Sequence, residues 1–191
     1  MKVVCISDTH NRHRELELPT GDVLIHAGDF TDFGRPNEIE DFVQWFASLK
    51  YPHKVLIAGN HDFFMYDILP ESVTKNKEFT YLRNESTVIN GLQIYGCPDT
   101  LSYHIKTLEW SHIPTDTDIL VTHSPPLGIG DPNHLGCPHL LERVCTIKPL
   151  VHVYGHIHEG YGVYKQDGCS FINASIESQE LNIPLVVTID Q

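Results

Sequence analysis

"LVHVYGHIHEGYG", residues 150–162, is an apolar β-like run that ends on two histidines one residue apart, His156 and His158, with glycines on either side. A single strand-end histidine is most often a solvated or packed side chain. The stretch therefore decides the fold only through the company it keeps. Four other apolar runs end in the same manner. "KVVCISDTH" (2–10) closes on Asp8 and His10, and "DVLIHAGDF" (22–30) on Asp29. "HKVLIAGNHD" (53–62) closes on Asn60, His61 and Asp62, and "DILVTHSPP" (118–126) on His123. Runs this apolar fit strands buried on both faces, as in α/β sheets.

Working outward, the segments between these runs read as helices and hairpins. In "PNEIEDFVQWFASLK" (36–50), Ile39, Phe42, Val43, Phe46 and Leu49 fall at helical spacing, and Pro36 suits a first turn. Together with the second and third strands it makes a βαβ unit. "CPHLLERVCTI" (137–147) is a second helix ahead of the fifth strand. "STVINGLQIYG" is a hairpin turning at Asn90-Gly91 with type I′ chemistry, and "GYGVYKQDGCSFINAS" another turning at Asp167-Gly168. "PLVVTID" is a closing strand, and "HDFFMYDIL" after the third strand leads into an apolar helix on the sheet. The expectation is one domain over residues 1–191, with two packed sheets and helices outside.

Composition bounds the function. A chain of 191 residues buries roughly 70% of its unfolded surface. With 13 Lys+Arg against 25 Asp+Glu, the formal charge is −12, which repels nucleic-acid polymers and anionic membranes. If the protein handles phosphate, a cofactor must supply the positive charge. No run approaches the roughly 18 apolar residues of a membrane span, and the apolar start before Asp8 is too short for a secretory signal. The five cysteines are odd in number and lack C-x-x-C spacing, which fits reduced thiols and a cytoplasmic setting.

In open α/β sheets, ligands gather beyond the carboxyl ends of the strands, so the polar strand ends are expected to meet at one edge. Carboxylate, imidazole and amide ligands suit Mn²⁺ or Fe, with Zn²⁺ as the alternative. Residues i and i+2 of an extended chain point the same way. On that basis Asp8 with His10, and His156 with His158, each aim two side chains at one locus. Gly28, Gly59 and Gly155 leave room for close approach of backbone. His13, His26, His53, His104, His112, His134, His139 and His152 match no such pattern and read as structural or surface residues.

The series "DTH", "GD", "GNHD", "TH" and "GHIH" resembles the calcineurin-like metallophosphoesterase superfamily, over residues 8–158. The wording "LIHAGDFTDFG", "THSPPLG", "HVYGHIHEGYG" and "INAS" is similar to a subgroup, the mammalian 239-type brain metallophosphodiesterases. The resemblance implies a four-layer α/β/β/α sandwich of two mixed sheets flanked by helices. It implies two divalent metals, one held by Asp8, His10, Asp29 and His158, the other by Asp29, Asn60, His123 and His156, with Asp29 bridging. His61 would face the leaving group with Asp62 orienting it, and Asn60, His61 and Arg12 would touch substrate. A metal-bridging hydroxide would attack in line. The subgroup carries Gly where this chain has His156, so any reduced activity tied to that Gly is not carried over.

The expected function is hydrolysis of a small phosphodiester, with a cyclic nucleotide, 2′,3′ or 3′,5′, as the substrate implied by the resemblance. A phosphomonoesterase is the first rival. Against it, Phe33 stands after Asp32, where phosphoprotein phosphatases carry Arg. A scaffold that has lost catalysis is the second rival, and it is expected to have lost ligand residues.

Overall fold

The computed structural model describes residues 1–62, 70–98 and 110–190. The helix expected from "HDFFMYDIL" falls mostly on 63–69, and His104 on 99–109, both outside the described residues. The five apolar runs are all strands: β1 (Lys2–Ile6), β2 (Val23–His26), β3 (His53–Leu56), β7 (Ile119–Thr122) and β8 (Val151–Tyr154). Between them lie β4 (Thr80–Tyr81), β5 (Glu85–Ile89) and β6 (Leu92–Cys97), and after them β9 (Gly162–Gln166), β10 (Cys169–Asn173) and β11 (Leu185–Thr188). Helix α1 spans Pro36–Ser48 and α2 spans Pro138–Ile147, each with Pro in its first turn.

Two sheets form. One has five strands in the order β11-β1-β2-β3-β4, the other six in the order β5-β6-β7-β8-β10-β9. Both are mixed: β1, β2 and β3 run parallel while β11 is antiparallel to β1, and β6, β7, β8 and β10 run parallel while β5 and β9 are antiparallel at the edges. The hairpin turns sit where the sequence places them. Asn90 and Gly91, and Asp167 and Gly168, all have positive φ, which is the type I′ condition.

Alternation along the strands assigns the layers. Val3, Cys5, Val23, Ile25 and Val55 face inward and pack on Ile119, Val121, Val151 and Val153 of the other sheet. Their neighbours Val4, Ile6, Leu24 and Leu56 face outward and bury Ile39, Phe42, Val43 and Phe46 of α1. On the opposite outer face Leu120, Tyr154 and Phe171 bury Leu140, Val144 and Ile147 of α2. The result is the α/β/β/α sandwich. The parallel strands of both sheets end at the same edge, where the polar residues gather.

Two histidines are used inside the layers. His26 lies under α1, edge-on to Phe42, with Nδ1 accepting from the Gly28 N–H and Nε2 facing Thr9 Oγ1 at 3.0 Å. His152 lies under the α2 layer, with Nε2 2.9 Å from Thr122 Oγ1. Burial pushes both imidazoles down to about 3, so both are neutral core residues. The five cysteines are thiols, four buried and Cys145 exposed.

Candidate metal centre

The structure gathers the strand-end side chains into two adjoining clusters. In one, donor atoms of Asp8, His10 and His158 lie within 4.8 Å of one another; in the other, those of Asp29, His123 and His156 do. The clusters interlock: His10 Nε2 is 4.0 Å from Asp29 Oδ2, and His123 Nε2 is 3.1 Å from Asp29 Oδ2 and 3.9 Å from Asp8 Oδ1. His158 Nε2 is 3.4 Å from Asp8 Oδ1. Asp29 thus faces both groups, and His156 and His158 fall on different ones.

The local route to this geometry differs from the expected one. Strand β1 stops at Ile6, β2 at His26 and β8 at Tyr154, so the donors lie on turns beyond the strands rather than on extended chain. Asp8, His10, Asp29 and His156 have φ of 55°, 40°, 54° and 68°, in the left-handed region that non-glycine residues rarely occupy. The i, i+2 argument is therefore corrected. The side chains converge because left-handed turns fold them back, a strained backbone held by the packing around it. Close approach requires glycine here. A side chain at Gly155 would collide with the Asp8 carboxylate and the Ser7 side chain, and one at Gly59 with the Asp29 carboxylate.

Hydrogen bonds fix the histidine tautomers. His10 Nδ1 is 3.2 Å from the Thr31 carbonyl and His123 Nδ1 is 2.8 Å from the Ala27 carbonyl, so each Nδ1–H donates and Nε2 is the nitrogen turned towards the carboxylates. Asp32 adds a carboxylate oxygen 3.5 Å from His10 Nδ1. The backbone N–H of His156 donates to both Asp8 oxygens at 3.1 Å. Burial pushes the Asp8 carboxyl up, but hydrogen bonding to His158 and the His123 charge outweigh it and hold it below the usual range. Asp29 behaves alike: burial raises it, while the His123 charge and hydrogen bond bring it below its ordinary value. His158 is raised by its hydrogen bond to Asp8. Both carboxyls are thus ionised at neutral pH.

The donor set fits divalent cations. Two buried carboxylates and four imidazoles converge on two adjoining loci, the oxygen and nitrogen donors that a divalent cation takes. Asn60 Oδ1 is buried with no hydrogen-bond partner among the described residues. A buried carbonyl oxygen left bare is costly unless something electropositive meets it. In the chain Asn60 lies between Gly59, which abuts Asp29 and His123, and His61, whose N–H donates to Asp29.

Two expected roles change. Asp62 does not orient His61. Its carboxylate accepts from the N–H groups of Gly59 (2.9 Å), Asp29 (2.9 Å) and Thr31 (3.0 Å) and from Thr31 Oγ1 (2.7 Å), tying the ends of β2 and β3 together. Burial and the neighbouring Asp29 charge push its carboxyl up to about 7, against the pull of those donors. His61 Nδ1 instead meets the backbone carbonyl of Asp32 at 2.7 Å, and its N–H donates to Asp29 Oδ1 at 2.7 Å. Arg12, expected to touch substrate, is engaged by the protein itself. Its guanidinium is held by Glu15 at 3.0 Å, Glu177 at 3.6 Å and the Ser178 carbonyl at 3.0 Å, so protein carboxylates already neutralise it. The sequence reading missed Thr31 and Asp32 as supports of His10 and His61. The only signal was their place in "GDFTD", directly after a ligand.

Fold and site together define a metallophosphoesterase. A sequence model of the calcineurin-like phosphoesterase family matches residues 1–160, and the chain belongs to that family of metal-binding phosphoric ester hydrolases. Human metallophosphoesterase domain-containing protein 1 is 38% identical over 228 aligned positions, covering 97% of this chain and 70% of that protein. A Caenorhabditis elegans UPF0046 protein is 38% identical over 216 positions, covering 95% of this chain and 77% of that one. One solved structure superposes with a TM-score of 0.68 at 13% identity, covering 90% of this chain and 89% of its own. The structure titled GAP50, the anchor in the inner membrane complex of Plasmodium, gives 0.58 at 10% identity, covering 92% and 71%. These two share the fold. Among the described residues no helix is long and apolar enough to cross a membrane.

Proposed function

We propose that the protein is a dinuclear metal-dependent phosphodiesterase acting on a small diester, with a cyclic nucleotide as the best candidate. The observation that carries this reading is the pair of interlocked clusters, Asp8–His10–His158 and Asp29–His123–His156, with Asp29 facing both. Asn60 would complete the second set with its buried carbonyl oxygen. The residues suit Mn²⁺ or Fe, with Zn²⁺ as the alternative. When bound, two such ions supply Lewis acidity toward a phosphoryl oxygen and a water acidic enough to be deprotonated near neutral pH.

The remaining work falls to the chain. Asp8 and Asp29, held ionised, balance the charge of the ions. His61 presents Nδ1 to the Asp32 carbonyl, which orients its ring and leaves Nε2 to carry a proton to the departing ester oxygen. The His61 N–H bound to Asp29 ties the leaving-group side to the shared ligand. Phe33, in place of an arginine after Asp32, removes a bidentate clamp suited to a phosphomonoester dianion, and this supports a diester monoanion as substrate. The −12 charge and the thiols support a cytoplasmic setting and a small substrate over a nucleic-acid polymer or membrane.

The test is turnover of the metal-reconstituted protein on bis-p-nitrophenyl phosphate and p-nitrophenyl phosphate, side by side with 2′,3′- and 3′,5′-cyclic nucleotides. Faster hydrolysis of diesters than of the monoester is expected. A preference for the monoester overturns the diester reading, and absence of metal-dependent turnover on every substrate favours the scaffold.

A further inference from the structure

Phe33 is a large apolar side chain that is 56% exposed in a layer structure that buries its other phenylalanines in this region, Phe30, Phe42 and Phe46. It follows Asp32, whose carbonyl holds His61 and whose carboxylate lies 3.5 Å from His10 Nδ1. Neighbouring Cα atoms are about 3.8 Å apart, so the Phe33 backbone lies one residue from the contacts that Asp32 makes with His10 and His61. Its backbone is fixed. The Phe33 and Arg35 N–H groups both donate to Glu38 Oε2, at 3.1 Å and 3.0 Å, and the Gly34 N–H donates to Thr31 Oγ1 at 3.0 Å. The Arg35 guanidinium lies over the ring, 4.7 Å from its centroid.

A rigid, solvent-facing ring backed by a cation is costly as surface decoration, because it leaves apolar area in water. It matches what aromatic ligands need. Base–aromatic stacking is sequence-tolerant because every base has a π-face, and a guanidinium stacked behind the ring adds a cation–π contribution. Arg35 also carries positive charge next to the ring, with Nη1 3.9 Å from Glu38 Oε1.

We propose that Phe33, backed by Arg35, is the stacking platform for the nucleobase of the substrate, so that the site selects diesters carrying a base over diesters of the same sugar without one. This rests on the phosphodiesterase reading and names the part of the substrate that the metal centre does not read.

The experiment compares adenosine 2′,3′-cyclic phosphate with the cyclic phosphate of 1-deoxyribose, the same diester lacking the base, in the Mn²⁺-loaded protein. The readout is the ratio of kcat/KM for the two. Wild type is expected to favour the base-bearing diester. Phe33→Ala should reduce that preference about ten-fold, mainly through KM, while Phe33→Trp retains it. A preference that survives Phe33→Ala, or a wild type indifferent to the base, overturns the platform. Turnover of bis-p-nitrophenyl phosphate in the same preparation keeps the two readings apart. If that diester is hydrolysed and the ratio fails, only the platform falls. If no diester is hydrolysed, the phosphodiesterase reading falls and the platform with it.

Discussion

The two sheets bring different chemistry to their common edge. The five-stranded sheet ends in Asp8, His10, Asp29, Asn60 and His61, and it supplies every carboxylate and the amide. The six-stranded sheet ends in His123, His156 and His158, and it supplies only imidazoles. Each cluster draws from both: Asp8 and His10 need His158, and Asp29 needs His123 and His156. Neither sheet alone presents a full ligand set, so the docked interior between them is a condition of the site. The charged half lies where left-handed turns and backbone N–H groups surround it.

That contrast can be broken most forcefully on the carboxylate side. Asp29→Asn removes the charge that faces both clusters, and turnover should fall by more than about 100-fold, beyond the loss typical of an outer-shell partner. Metal analysis should show loss of ion from both positions; retention of two ions per chain would show that Asp29 is not shared. On the imidazole side the effect should be smaller. His156→Gly is expected to lower turnover about 10- to 100-fold and to remove ion from one position only. Unchanged stoichiometry and rate would mean that His156 ligates nothing.

A third measurement concerns the joint itself. If ions bridge the sheets, chelation should lower the melting temperature. Free ion at about 100 times its dissociation constant stabilises the fold by about 2.7 kcal/mol, or about 5–10 °C for a chain of this size. An identical melting curve with and without chelator would deny the bridge.

The last measurement separates the histidines at the edge from those inside the layers. His152 is held down to about 3 by burial, below the roughly 6.5 of an unfolded chain. On acidification the unfolded state takes up the proton first. The stability is therefore whole above about pH 6.5 and is lost as the pH falls toward 3, by about 1.4 kcal/mol per pH unit per histidine. In metal-free protein, His152→Gln should flatten the dependence of the urea midpoint on pH over this window. A slope equal to wild type would show that His152 takes its proton without unfolding.

Much of this was legible in the amino-acid order. Apolar runs ending in Asp, Asn and His marked five strand ends, because a strand buried on both faces admits few polar residues until it leaves the sheet. The helices over 36–50 and 137–147 followed from spacing, and both hairpins from Asn-Gly and Asp-Gly. What escaped was set by tertiary geometry. Left-handed φ at Asp8 and His156 has no local signature, since neither is glycine. The partners of Asp62 come from Gly59 and from the far side of a crossover at Asp29 and Thr31, and those of Arg12 include Glu177, 165 positions away in the chain. Pairings of that kind depend on which loops the sheets bring together.

Asp62 has a mechanical meaning. Its four short hydrogen bonds, together with the bond from the His61 N–H to Asp29, make the ends of β2 and β3 one rigid body. An in-line displacement moves the phosphorus from the side where attack begins toward the side where the leaving oxygen departs. In the proposed reaction the first side would be anchored at Asp29 and the second at His61. A buried carboxylate outside the proposed ligand set would thereby act as a gauge block, setting how far the reacting atom travels.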